Sequence, residues 1–298
     1  MTTPGKSLDA LRAEIDEIDA ALHDQIMRRA ALVDEIVARK SKDSIANVRP
    51  GREAEILRRL MAQHDGRFPV GALLRVWREI IAAITRMQTA DYAVAVYASG
   101  EDQGCWDLAR DQFGSQTPMT AHPSPRDVLT QVVAGKAAIG VVPRPTEDHP
   151  GSWWSSLCAP GAPRVVYRLP FYSRGNARNA TSDAPDALAI AKVEPEASGN
   201  DTSLLVIETA GELSRTALGG LLATAKLTPH LMASRREGSW MHVAEVDGFL
   251  RSDDMALKTL EARDVVQRIS VIGAYATPLT ETSESPAASE TGLARQGE

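Results

Sequence analysis

Thirty-four consecutive residues without a proline or glycine, Ser7 to Lys40, constrain this chain most. Leu8, Leu11, Ile15, Ile18, Leu22, Ile26, Leu32, Val33 and Ile36 recur at steps of three and four, the stripe of an amphipathic helix. Ser7 is a suitable N-cap and Asp9 suits the positive end of the dipole. The helix would span about 50 Å, too long to wrap inside one small globule. Three cations sit beside the stripe. Arg29 and Lys40 project within roughly 20° of each other, whereas Arg12 lies about 25 Å from Arg29 along the axis. A single such cation is ordinarily a snorkelling side chain. Three of them, followed by Arg52-Glu53 and Gln88, point instead to an anion held among helices, because unpaired buried charge is costly.

The rest of the helical pattern is short. Pro50 and acidic Glu53 and Glu55 open a second helix, Gly51 to about His64. A third runs from about Val70 to Thr89, with Leu73, Val76, Trp77, Ile80, Ile81, Ile84 and Met87 on its apolar side. One long, one short and one medium helix make an open set that most easily buries its stripes against a second copy.

Length and charge bound the rest. A chain of 298 residues predicts two or three domains. Residues 1–90 carry fifteen basic against thirteen acidic side chains (+2), so of the net charge of −6 the remainder carries −8. No basic stripe with interleaved aromatics suggests nucleic acid, and no apolar run is long enough to span a membrane. The opening MTTPGKSLDA has no signal-peptide core, and Cys105 and Cys158 are isolated thiols suited to a reducing compartment, so a cytoplasmic location is expected. The six histidines lack metal-ligand spacing, and neither a metal nor another cofactor is expected.

The residues Leu11-Arg12, Arg28-Arg29-Ala30, Lys40, Arg49-Pro50-Gly51-Arg52-Glu53 and Trp77-Arg78-Glu79-Ile80-Ile81 through Gln88 resemble the all-helical chorismate mutases, most closely the mutase domain fused to prephenate dehydratase. The resemblance implies an intertwined helical dimer with two active sites, each completed by an arginine from the other copy. It implies chorismate as substrate and prephenate as product, on a route to phenylalanine and tyrosine. By that resemblance Arg29 and the second copy's Arg12 hold carboxylates. Lys40 bridges a carboxylate and the ether oxygen, and Gln88 is the second donor to that oxygen. Glu53 accepts from the ring hydroxyl, and Arg52 adds positive field. The chemistry suits such residues: an intramolecular rearrangement needs the substrate clamped and its developing charge met by fixed donors. Two positions depart from the pattern. Ile84 stands where a hydroxyl residue is frequent, and Arg49-Pro50-Gly51 lacks an acidic residue that some members carry.

From Asp91 short buried strands replace the helical pattern: YAVAVYA, AAIGVVP, RVVYRLPF and DALAIAK, with helices at about Gly104 to Phe113 and Pro125 to Ala134. This α/β region resembles the opening lobe of prephenate dehydratase. The family's second lobe is reduced here to YSRGNARNATSDAP, where Ser182 replaces the arginine of an Asn-x-Thr-Arg-Phe motif, so a degenerate scaffold is expected. The segment Asp201 to Thr277 reads βαββαβ and resembles an ACT domain, an α+β ferredoxin-like module that binds amino acids at dimer interfaces. Gly211-Glu212-Leu213 and Ala233-Ser234-Arg235-Arg236 keep its motifs by half, leaving an aromatic amino acid effector open beside a purely dimer-forming role.

The expected organisation is therefore a multi-domain chain: an all-α mutase domain (1–90), a truncated α/β lobe (91–198), an ACT-like domain (199–279) and a disordered tail (280–298). The competing readings are a bifunctional mutase–dehydratase and a non-catalytic regulatory dimer that binds an amino acid.

Overall fold

The structure is a computed structural model that describes residues 6–39, 48–89, 91–100, 103–146, 153–172 and 186–279. Lys40, the Asn179–Ser182 motif and the tail 280–298 lie outside the described residues.

Three helices come first: α1 (Leu8–Arg39), α2 (Pro50–Gln63) and α3 (Val70–Gln88). Ser7 caps α1, its Oγ accepting from the Ala10 N–H at 3.2 Å. The proline of α2 occupies its first turn, where no hydrogen bond is lost. No residue of α1 is buried, and its stripe is bare: Leu8, Ile15, Ile18, Leu22 and Ile36 are each more than half exposed. The α2–α3 hairpin is covered differently. Ala54, Leu57 and Leu74 pack with Phe171 and Ala276 of the C-terminal region, so part of the stripe expected to await a second copy is buried within the chain. Glu79 of α3 accepts from the Ser115 N–H at 2.9 Å. A Cβ on the neighbouring Gly114 would stand 2.7 Å from that of Ala82, and its φ is +84°. Glycine is the residue that fits there.

Beyond residue 90 the strands form one nine-stranded sheet in the order β2-β1-β3-β5-β4-β9-β6-β8-β7. Its first part comprises β1 (Val94–Tyr97), β2 (Met119–His122), β3 (Ile139–Pro143), β4 (Arg164–Leu169) and β5 (Ala187–Ala191). The pair α4 (Gly104–Phe113) and α5 (Pro125–Val133) takes opposite faces. Alternation along the strands explains this: Val94 and Val96 face Leu108 and Phe113, while Ala95 faces Val128 and Val132. Trp153 and Trp154, in a short 3-10 turn, continue the α5 side.

The second part is β6 (Asp201–Thr209), β7 (Pro229–Glu237), β8 (Ser239–Asp247) and β9 (Val266–Ala276), paired antiparallel as β9-β6-β8-β7. Helices α6 (Arg215–Thr224) and α7 (Met255–Glu261) bury Leu218, Leu222, Leu257 and Leu260 on the face of Leu205 and Ile207. The sequence pattern starts α6 at Gly211. The helix begins later because Ser214 caps it, accepting from the Ala217 N–H at 3.2 Å.

The lobe and the βαββαβ unit, read from sequence as separate, share this sheet. They are spliced where β4 meets β9 in parallel, Val165 opposite Gly273. A Cβ on Gly273 would lie 2.3 Å from the Val165 carbonyl oxygen and 2.5 Å from its nitrogen, so only glycine allows the approach. A charged bridge reinforces the splice. Arg144, just beyond β3, donates from Nε to Glu245 Oε1 at 3.0 Å and from Nη2 to Oε2, and from Nη1 to Asp186 Oδ2 at 3.0 Å. Glu245 is wholly buried in β8. Burial alone would lower the Arg144 pKa, and these carboxylates more than reverse it. Arg168 takes the remaining capacity of Asp186 at 2.9 Å.

Candidate active site

Of the six residues singled out in the sequence, the five that lie within the described residues are not all gathered in one place. Arg12 is exposed and pairs with Asp9 at 3.3 Å, one turn away. Arg29 is half-buried: its Nη1 is enclosed and meets no acceptor among the described residues, and burial lowers its pKa. A guanidinium in that condition is a ready partner for a carboxylate. Gln88 lies half-buried at the C-terminal end of α3, the helix on which α1 rests. Arg52 is exposed and donates to Glu55 at 2.9 Å, along its own helix.

Glu53 faces the other way. Its Oε1 accepts from the Tyr167 hydroxyl of β4 at 2.9 Å. Burial pushes its carboxyl up to about 7, with the Arg78 charge and the Tyr167 hydrogen bond pulling down. The cleft around this carboxylate has a volume of only about 10 Å³, room for one water. Tyr167 is fixed in turn by Phe113, edge to face at 5.5 Å. Contact of Glu53 with a substrate therefore requires a change of rotamer.

The missing hydroxyl at Ile84 is not supplied next door. Ile84 is buried, and Thr85 donates its hydroxyl to the Ile81 carbonyl at 3.0 Å.

Three residues that sequence reasoning did not place tie α2 and α3 to the sheet. Arg58 donates to the carbonyls of Ser198 at 3.0 Å, Asn200 at 2.6 Å and Thr277 at 3.1 Å. Arg49 forks onto Glu196 at 3.1–3.2 Å. Arg78 lies over the Phe171 ring, 5.4 Å from its centroid. The sequence signal for Arg78 was its place beside Trp77 on the apolar side of α3; nothing in the sequence told which element it would face.

Among the described residues no cluster of histidine, cysteine or carboxylate side chains has the geometry of a metal site, and no helix is long and apolar enough to cross a membrane.

Comparison with known proteins adds the following. Among the solved structures that align, the following two have TM-scores below 0.5. One, described as a novel type of quorum quenching acylase, GqqA, has a TM-score of 0.47 at 14% identity, covering 66% of this chain and 100% of its own. The other, prephenate dehydratase from Streptococcus mutans, has a TM-score of 0.44 at 12% identity, covering 62% and 98%. In sequence, the bifunctional chorismate mutase/prephenate dehydratase of Aquifex aeolicus (strain VF5) is 31% identical over 142 residues, 46% of this chain. This chain spans 39% of that relative's length. Residues 11–89 match the family model of chorismate mutase type II.

Proposed function

We propose that the chain is a chorismate mutase that rearranges chorismate to prephenate in aromatic amino acid biosynthesis. One observation carries the reading. The segment matching the mutase family, 11–89, is also the segment with the ordered set Arg12, Arg29, Arg52, Glu53 and Gln88, together with Lys40. Chorismate carries two carboxylates and needs neither nucleophile nor proton transfer, so clamping cations and fixed donors suffice. Arg29, whose enclosed Nη1 meets no acceptor among the described residues, is the carboxylate clamp. Lys40 and Gln88 are the donors to the ether oxygen, and Glu53 meets the ring hydroxyl once turned from Tyr167.

Arg12 is supplied by a second copy of the chain. The bare stripe of α1 supports this, since Leu8, Ile15, Ile18, Leu22 and Ile36 stay more than half exposed and a two-fold partner would cover them. The order β9-β6-β8-β7 with both helices on one face supports reading this unit as an ACT-like module, dimer-forming and with an aromatic amino acid as candidate effector. Only the residues 170–186 separate β4 from β5, too few for a second lobe, which favours a mutase without dehydratase activity. The protein is read as a cytoplasmic homodimer working without metal or cofactor.

Incubation of the purified chain with chorismate tests this. Loss of the diene absorbance, with prephenate accumulating and no phenylpyruvate beyond the spontaneous background, is expected. Absence of any acceleration rejects the mutase reading; enzyme-dependent phenylpyruvate rejects the single activity.

A further inference from the structure

A cavity of about 350 Å³ opens where α3, α4 and the end of β4 meet, and neither Arg29 nor Gln88 lines it. Its size lies in the range of small-molecule sites. Leu74, Leu108, Leu169 and Phe171 form buried apolar walls. Among the described residues two guanidiniums reach it. Arg75 is committed at the rim, in an ion pair with Asp111. Arg78 is not committed: it rests on the Phe171 ring and feels the Glu53 charge, yet donates no hydrogen bond to any described residue.

An arginine has five donors and ordinarily spends several of them when it leaves water. Burial here already lowers the Arg78 pKa, so the charge sits where solvent does not fully compensate it. Asp111 is spent on Arg75, and Glu53 lies behind Arg78 rather than in the lining, so the cavity offers one guanidinium to a ligand, the match for a single carboxylate. We propose that this cavity binds a small monocarboxylic acid with an apolar body, its carboxylate on Arg78 and its body between Leu108 and Phe171. Neither Arg29 nor Gln88 lines the cavity, so the site is distinct from the mutase site and stands whether or not the mutase reading holds.

Calorimetric titration of the full chain with 3-phenylpropionate tests the proposal, with 3-phenylpropan-1-ol as the same body without the charge. The wild type should bind the acid, and the alcohol at least about tenfold more weakly, as expected for loss of a charge-assisted hydrogen bond. Arg78→Gln should weaken the acid by a similar factor. Ala72→Trp, at an exposed position on the cavity wall, should abolish binding while leaving Arg78 in place. If Arg78→Gln does not fold, Ala72→Trp decides. No heat with the wild type at millimolar acid, or binding that Ala72→Trp leaves unchanged, overturns the proposal.

Discussion

Replacing Arg144 by methionine removes one side chain and strands another. Glu245 is wholly buried in β8 and receives two hydrogen bonds from Arg144, whereas Asp186 keeps Arg168 at 2.9 Å. The loss therefore falls on Glu245, a buried carboxylate left without its cation. Breaking such a pair from one side costs about 3–5 kcal/mol. For a unit of this size that lowers Tm by roughly 6–20 °C. Urea unfolding followed by tryptophan fluorescence reads it directly, because Trp153 and Trp154 lie buried in the same core as Val243 and Leu204. Adding Glu245→Leu to Arg144→Met should recover much of the loss, since no buried charge then remains at β8. A single variant within about 1 kcal/mol of wild type, or a double variant worse than the single one, would show that the bridge does not hold the two halves of the sheet together.

Three further outcomes are expected. Gly273→Ala should destabilise the fold by about 1–3 kcal/mol or more, because the new Cβ meets only backbone of Val165; an unchanged urea midpoint would contradict the close approach. Glu53 titrates near 7 when folded against an ordinary 4.5, so its contribution to stability is full below pH 4.5 and is lost as pH rises through about 7. Between pH 4.5 and 8 the wild type should lose roughly 1–3 kcal/mol relative to Glu53→Gln, and urea midpoints that run parallel across that range would refute the shift. On the proposed mutase dimer, Arg12→Ala and Lys40→Ala should each be nearly inactive, Lys40→Ala by about 3–4 kcal/mol in the barrier. Unfolded and refolded together they should regain roughly a quarter of wild-type activity, because half the dimers are mixed and each mixed dimer has one intact site. Confirmed mixed dimers with no recovery would reject the shared site.

The helices and strands were readable because each is a local pattern. The stripe of α1, the proline opening α2 and the continuous apolar run of β6 all act within a few residues. What joins these elements is not local. Tyr167 meets Glu53 across 114 positions, Arg144 meets Glu245 across 101, and Arg58 reaches Thr277 across 219. No periodicity announces such pairs. The single register point at Val165 and Gly273 is likewise invisible until the strands are laid side by side. The candidate site divides in the same way. Arg29 and Gln88 stand out by their place beside apolar stripes, whereas the turning of Glu53 toward Tyr167 depends on how α2 docks on the sheet.

The contrast between a bare α1 and a covered α2–α3 hairpin means that the three helices answer to different variables. The hairpin is held by contacts inside its own chain, through Phe171, Ala276 and the donors of Arg58, and is indifferent to how many other molecules are nearby. Most helical stability in proteins comes from packing an amphipathic face, and no residue of α1 is fully buried. On the proposed dimer its exposed stripe is covered by a second copy, and its order is then a function of protein concentration. Dilution would then dismantle the molecule in sequence, fraying the first helix and the Arg12 and Arg29 it carries while the sheet and hairpin persist.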